Sequence, residues 1–268
     1  TVEDSIAARV NYAKLDNDAS NVNIRLSSTA VRATNMQGSG VKVTYVRDGK
    51  AYSVRGKHSV LACWNMMIPF ICPELPEPQK TALHYLVKTP LVYTSVALTN
   101  WRAFANLGVS RLRCPGGYHS SFNLDTVMDI GDYHSAKSPD EPVMVHMTRA
   151  PAQPGLSERE QHKAGRAELL TTPFSTFERN IRRQMNQVLG SGGFDAAKDI
   201  AGIAVNRWPH GYAPEYNSLV DPDEGLPLLT ARARAGAISI ANADSGGGAY
   251  TDVAIDQAHR AVTELLSA

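Results

Sequence analysis

Ala237-Ile238-Ser239-Ile240-Ala241 runs into Asn242-Ala243-Asp244-Ser245-Gly246-Gly247-Gly248-Ala249 and then into Tyr250 to Leu266, and the reading of this stretch decides the fold. The first five residues are a short apolar run, the pattern of a strand buried on both faces. The next eight are turn formers. Beyond them Val253, Ile255, Ala258, Val262 and Leu265 recur at helical spacing, and Asp252 lies in the first turn, where a carboxylate favours the helix terminus. A strand, a glycine-rich turn and a helix in this order aim backbone N–H groups and the positive end of a helix dipole outward.

Upstream, Val60-Leu61-Ala62-Cys63 is a second run of the same kind, followed by Trp64-Asn65. Ends of buried parallel strands are where α/β proteins place ligands. Trp64 either stacks there or fills the core. Before it, Val41 to Val46 alternates, Asp48-Gly49 turns the chain and Ala51 to Arg55 alternates again, which predicts a hairpin. Asn23 to Leu26 and Ala30 to Ala33 add strand character, and Val2 to Tyr12 reads as a short helix or arm. After it, Cys72 to Pro76 is a loop, and a helix begins with Pro78 in its first turn. Leu91–Leu98 and Pro142–Met147 read as strands, and residues 105–142 between them as irregular. Gln161–Leu189 is helical with a break near Pro173, and Phe174, Phe177, Ile181 and Met185 form its core-facing stripe. Ile203–Val205 is a short strand that gives way to an aromatic loop at Asn206.

The chain has 268 residues, 43% hydrophobic and 20% charged, with a formal net charge of +1. That is an ordinary soluble composition and argues against a nucleic-acid or anionic-membrane partner. The apolar runs are far too short to span a bilayer, and no lipidation or signal motif shows in these residues. The three cysteines, Cys63, Cys72 and Cys114, make no full disulfide framework and no metal-ligand spacing. No metal site is expected. The compartment, bacterial cytoplasm or periplasm, stays open. The chain starts at Thr1, and proteolytic maturation, an engineered boundary and numbering from a mature start all fit.

Three constellations could carry chemistry. The glycine-rich turn suits a phosphate, a ribityl hydroxyl or a flavin carbonyl, with Asp244 as an acceptor for a sugar hydroxyl, and serves equally as a plain connection. Arg207-Trp208-Pro209-His210-Gly211-Tyr212, with Tyr216 and Asn217, is an aromatic loop of the kind that lines pockets or interfaces or packs on itself. Tyr118-His119-Ser120 offers a histidine beside a serine, but there is no Gly-x-Ser-x-Gly elbow and no orienting acid.

The stretches Val60 to Phe70, Pro73 to Leu83, Asn206 to Ala213 and Ile238 to Val262 resemble, in that order, the flavin-containing amine oxidase family. Their wording is similar to bacterial spermidine-dehydrogenase-like FAD-binding proteins. The resemblance runs from about residue 20 to 265. It implies an α/β fold: the C-terminal part of a glutathione-reductase-type FAD-binding domain (1–76 and 203–268) and a mixed-sheet and helical substrate domain (77–202). It implies FAD as cofactor. Val31 would offer its backbone to the adenine, and Ala62 and Trp64 would flank the cofactor. Asn242, Ala243 and Asp244 would face the ribityl and pyrophosphate. Tyr250 and Thr251 would open the last helix, with the Thr251 N–H toward the flavin C2 carbonyl. Trp208, His210 and Tyr212 would line the catalytic face, and Tyr118, His119 and Tyr216 the substrate.

Two departures stand out. Where many members carry a lysine near flavin N5, the best register puts Tyr93, with Lys88 too early. No Gly-x-Gly-x-x-Gly follows a strand anywhere in these residues, and that element holds the pyrophosphate. The resemblance therefore implies a second polypeptide carrying the glycine fingerprint, and this chain as a subunit or processed C-terminal half of an FAD-dependent oxidoreductase, the working form a heterodimer. The expected reaction moves a hydride from the carbon beside an amine nitrogen of a small molecule to flavin N5. The alternatives are oxidation of an alcohol or phenol on the same scaffold, and a non-catalytic partner subunit. A hydrolase using His119 and Ser120 stands further off, as does covalent flavin attachment at Cys63 or His119.

Overall fold

A computed structural model describes residues 1–17 and 20–267. Along the chain, α1 (Val2–Ala7) precedes β1 (Thr29–Asn35), β2 (Val41–Arg47), β3 (Lys50–Gly56) and β4 (Ser59–Leu61). Next come α2 (Ile68–Ile71), α3 (Glu77–Tyr85), β5 (Thr89–Leu98), α4 (Arg102–Leu107), β6 (Arg111–Arg113), β7 (Ser121–Leu124) and β8 (Val143–Arg149). They are followed by α5 (Glu158–Thr171), α6 (Phe174–Leu189), α7 (Ala196–Asp199), β9 (Ile200–Tyr212), α8 (Leu228–Ala231), β10 (Ile238–Ile240), α9 (Ala243–Gly246) and α10 (Thr251–Leu266). These elements form two compact units, Val10–Lys88 with Tyr212–Ala268, and Thr1–Arg9 with Thr89–Gly211.

The unit of Val10–Lys88 and Tyr212–Ala268 holds two sheets. One is the antiparallel order β1-β2-β3. Its hairpin closes in the two residues Asp48 and Gly49, at φ 50 and 71, the left-handed pair that a type I′ turn requires and that matches the strand twist. The register of β1 against β2 slips between Ala30 and Arg32, so Val31 is the extra residue of a bulge, outside the ladder. The other sheet is the parallel pair β10-β4, with Ile238, Ser239 and Ile240 beside Ser59, Val60 and Leu61. Leu61, Ile238 and Ile240 join Ile68, Leu75, Leu83 and Leu86 in one buried cluster, whereas Val60 is exposed, so β10 is buried on both faces and β4, at the edge of the pair, is not, contrary to what its apolar run predicts. Gln79 fixes α3 to α8 by donating to the carbonyls of Ala231 and Ala233 at 3.2 and 2.6 Å. Asn35 ties the end of β1 to the approach to β10: its Nδ2 donates to Glu74 and its Oδ1 accepts from the Ala237 N–H.

The other unit is built on the five-stranded sheet β6-β7-β8-β5-β9. In β5 the burial alternates strictly: Val92, Thr94, Val96 and Leu98 point into the core, while Tyr93, Ser95 and Ala97 face the other way. Phe122, Val145 and Met147 share the inner face and pack with Phe177, Ile181, Met185 and Leu189 of α6. The α6 stripe follows the helical spacing read from sequence, except that Phe174 is exposed. Gly165 lets α5 press against the chain, since a Cβ there would stand 2.3 Å from the Pro151 carbonyl oxygen.

Three expectations change. Asn206–Tyr212 is not a loop but the second half of β9, thirteen residues long; pairing with β5 outweighs the turn propensities of Pro209 and Gly211. At Gly211 a Cβ would fall 2.5 Å from Leu91 Cδ1, so the glycine serves close strand approach and not a bend. Residues 105–142, rich in turn formers, still contain β6 and β7 and the end of α4, because the buried Phe122 anchors the strand pair. Asn23–Leu26 lies outside any strand; its Ile24 and Leu26 are exposed, and among the described residues no strand pairs with it.

Candidate functional site

The ends of β4 and β10 converge on one polar cluster. Asn242 follows β10 and caps α9: its Oδ1 accepts from the Ser245 N–H and hydroxyl, both at 2.8 Å. Its Nδ2 donates to the Cys63 carbonyl at 2.6 Å and to Asn65 Oδ1 at 2.8 Å, binding the two strand ends together. Asp244 is buried. The Lys88 ammonium stands 2.7 Å from its Oδ1, and the Asn65 N–H donates to its Oδ2 at 3.2 Å. Both carboxylate oxygens are thus used inside the fold. Burial, with the Asp244 charge beside it, raises the Cys63 thiol above its ordinary range, which suppresses the nucleophilic thiolate. Ala62 is exposed at the end of β4, and Trp64, half-buried, leads the 3-10 turn Asn65–Met67.

Two residues past the glycine turn, α10 begins. Tyr250 is its N-cap and makes no side-chain capping bond; Thr251 is the first helical residue. Both are exposed. A sixteen-residue helix with an open, uncapped first turn presents backbone donors and a partial positive charge to whatever lies beyond. The turn before it is close-packed: a Cβ on Gly246 would stand 2.2 Å from Val253 Cγ1, and Gly247 has φ +69. Tyr216, in the same unit, is about half exposed.

In the five-stranded unit, the outward face of the sheet carries aromatic and polar side chains. Trp208 of β9 meets Tyr93 of β5 edge to face, centroids 6.1 Å apart at 78°. Beside them Ser95 Oγ lies 3.4 Å from His146 Nδ1, and His146 Nε2 lies 3.3 Å from Asp125 Oδ1. Tyr133 donates to Asp125 Oδ2 at 3.1 Å. This Ser95–His146–Asp125–Tyr133 row escaped the sequence reading, since its members come from β5, β8 and the loop after β7; only the alternation of β5 could have put Tyr93 and Ser95 on one face.

His119 lies in the core of the five-stranded unit. It has no exposed surface, its Nε2 is 3.1 Å from Thr94 Oγ1, and Gln184 brackets its backbone, accepting from the N–H at 2.9 Å and donating to the carbonyl at 2.8 Å. Burial, aided by the Arg149 charge, lowers its pKa to about 4, so it is a neutral core residue. Ser120 donates to the Thr148 carbonyl, and among the described residues no acid is paired with the imidazole. Tyr118 lies under the Arg149 guanidinium at 4.4 Å. His210 belongs to the same unit as Trp208, while Tyr212 belongs to the other.

The chain is similar in fold to solved amine oxidases. A putrescine oxidase, solved as several variants redesigned for cofactor binding and with putrescine bound, superposes over 90% of this chain at TM-scores of 0.57 to 0.60 and 13–14% identity. Cyclohexylamine oxidase from Brevibacterium oxydans superposes over 89% at a TM-score of 0.54 and 13% identity. The chain spans about half the length of these structures, 48–49%. No family model and no curated protein matches it. At this identity the likeness establishes a mixed α/β fold shared with part of those oxidases. Among the described residues, no helix is long and apolar enough to cross a membrane.

Proposed function

We propose that this chain is the C-terminal portion of an FAD-dependent oxidoreductase that oxidises an amine. The observation that carries the reading is the open, uncapped N-terminus of α10, set directly after the β10 turn at the joined ends of two parallel strands. The residues there fit a flavin dinucleotide. The bulged Val31 leaves its backbone outside the β1–β2 ladder, available to an adenine edge. Ala62 and Trp64 follow the end of β4, and Tyr250 and Thr251 open α10 without a side-chain capping bond from Tyr250. Asn242 and Asp244 contribute through the turn backbone they hold in place, because their side chains are engaged internally. When bound, the flavin accepts a hydride from the carbon beside the amine nitrogen.

The chain's own part is positioning and charge. The α10 N-terminus would stabilise negative charge on a group bound there; within the other unit, the aromatic pair Tyr93–Trp208 presents a face suited to an apolar or cationic group. A two-stranded parallel sheet is unusually small, since parallel strands ordinarily sit within larger covered sheets. We read β4–β10 as completed by a strand–glycine fingerprint–helix element of a glutathione-reductase-type domain, on the same polypeptide or on a second one. That element would cradle the pyrophosphate.

The test is the absorption spectrum of the protein purified from its full-length gene, followed by anaerobic addition of a panel of primary amines and polyamines. Flavin bands that bleach with an amine support the reading. Protein that neither carries flavin nor takes up added FAD overturns it, and flavin that bleaches only with an alcohol or phenol overturns the amine assignment.

A further inference from the structure

Antiparallel pairing of β5 with β8 sets Ser95 directly across from His146, on the sheet face that also carries Tyr93. Residues paired in this way bring their side chains within reach of one another. Ser95 Oγ lies 3.4 Å from His146 Nδ1, and His146 Nε2 lies 3.3 Å from Asp125 Oδ1. The carboxylate is itself held in place. The Thr126 N–H donates to its Oδ1 at 2.8 Å, and the Tyr133 hydroxyl donates to its Oδ2 at 3.1 Å. An ionised carboxylate only accepts hydrogen bonds, so a neutral ring offers Asp125 its Nε2–H, and Nδ1 is left as the acceptor that faces the Ser95 hydroxyl. The His146 and Asp125 side chains are 47% and 31% exposed, so the row is open to a reactant, unlike the buried His119.

A nucleophile, a base and an acid that orients the base are the parts of acyl-transfer catalysis, identified by geometry and role and not by chain order. Tyr93 stands two residues before Ser95 on the same face, about 7 Å along the strand, and meets Trp208 edge to face at 6.1 Å. Both rings are exposed and give an aryl group an apolar rest beside the nucleophile. We infer that this row is a hydrolytic site for an aryl ester of a small carboxylic acid. Ser95 Oγ adds to the ester carbonyl carbon while its proton passes to His146 Nδ1, and Asp125 stabilises the imidazolium that forms. The bond from that carbon to the phenol oxygen breaks, and the phenol leaves with the proton. Water, giving a proton to the same nitrogen, then cleaves the acyl–serine bond, releases the carboxylic acid and restores the hydroxyl. Every residue of the site lies within one unit, Thr89–Gly211, and the inference does not rest on the flavin reading.

The experiment is rapid-mixing measurement of p-nitrophenol release from p-nitrophenyl acetate by protein purified from its full-length gene, with peptide mass analysis of the quenched reaction. A burst of p-nitrophenol is expected, with the acetyl group on Ser95. Ser95→Ala is expected to abolish the burst, and His146→Gln to slow it about a hundredfold, the lower end of what a positioned general base contributes. Lysine and tyrosine side chains also take acetyl groups from this reagent, so the location decides. Acetyl groups found only on other residues, no burst, or a burst unchanged in Ser95→Ala or His146→Gln overturns the proposal. The acetylated residue is read on the parent protein, so the result stands if a variant fails to fold. No flavin is needed for the readout, which keeps the outcome separate from that of the flavin test.

Discussion

The Lys88 ammonium lies 2.7 Å from Asp244 Oδ1, with side chains 15% and 2% exposed. Two charges so far from water hold one another in place. Losing one partner leaves the other buried and uncompensated, which costs about 3–5 kcal/mol, whereas replacing both by apolar groups is often near neutral. Lys88→Met is therefore expected to lower stability by that amount in urea unfolding, and the double variant Lys88→Met, Asp244→Leu to recover much of it. A single variant within about 1 kcal/mol of the parent would show that the pair is solvated and structurally idle.

Thr251 is the first residue of α10, and the residue before it is extended, at φ −122 and ψ 153. Proline is tolerated at such a position, because its missing N–H is one the helix leaves unpaired and its ring suits an extended predecessor. Thr251→Pro should leave the circular dichroism and melting temperature nearly unchanged. If the Thr251 N–H serves a flavin carbonyl, FAD affinity should fall about tenfold, in line with a helix-terminus interaction of 1 kcal/mol or somewhat more. Unaltered retention on equilibrium dialysis would remove the α10 terminus from the cofactor site.

His119 sets a pH window. Its folded pKa is lowered to about 4 from an unfolded value near 6.5, so the unfolded chain binds the extra proton between those values. The stability it contributes is fully present above about pH 6.5 and is lost as pH falls toward about 4, by about 3 kcal/mol across the window. Unfolding free energies from pH 7 to 4.5 should show this slope, and His119→Gln should flatten it. An unchanged slope in the variant would assign the acid lability to other groups.

Gly165 lies inside α5, where alanine is ordinarily worth up to about 1 kcal/mol more than glycine. Here a Cβ would meet the Pro151 carbonyl oxygen at 2.3 Å and Pro90 Cγ at 3.0 Å. Backbone cannot yield as a flexible side chain does, so overpacking of about 1–3 kcal/mol outweighs propensity and Gly165→Ala should destabilise. A thermal midpoint at or above that of the parent would mean that the helix can shift away from Pro151.

Much of the architecture was legible from local pattern. The Asp48-Gly49 hairpin, the strands β4 and β10, the buried run of β10, the break at Pro173 and three of the four stripe residues of α6 all follow from periods of two and of about three and a half, together with turn chemistry. The strand Asn206–Tyr212 was not legible, because proline, glycine and histidine imitate a loop, and only pairing at a sheet edge shows that the chain stays extended. The candidate site divides in the same way. The strand–turn–helix passage into Thr251 can be read from the residues in order. The use of the Asp244 carboxylate cannot, since its partners are Lys88 and the N–H of Asn65, 179 residues away.

By itself, the order of residues determined most of the segments that extend or coil and the turns that join them, where those choices depend on neighbours within one or two turns of chain, and it failed at Asn206–Tyr212, where sheet pairing decides. It also carried the family-like order of motifs from which a flavin is inferred. Tertiary structure alone decided which polar groups keep their hydrogen-bonding capacity for a ligand. His119 Nε2 meets Thr94 Oγ1 in the core while Gln184 takes up the His119 backbone, and the Asp244 carboxylate meets Lys88 and the Asn65 N–H. The reason is physical: satisfaction of a polar atom depends on what packs within about 3 Å of it in space, and sequence spacing carries no information about that distance once the contact is long-range.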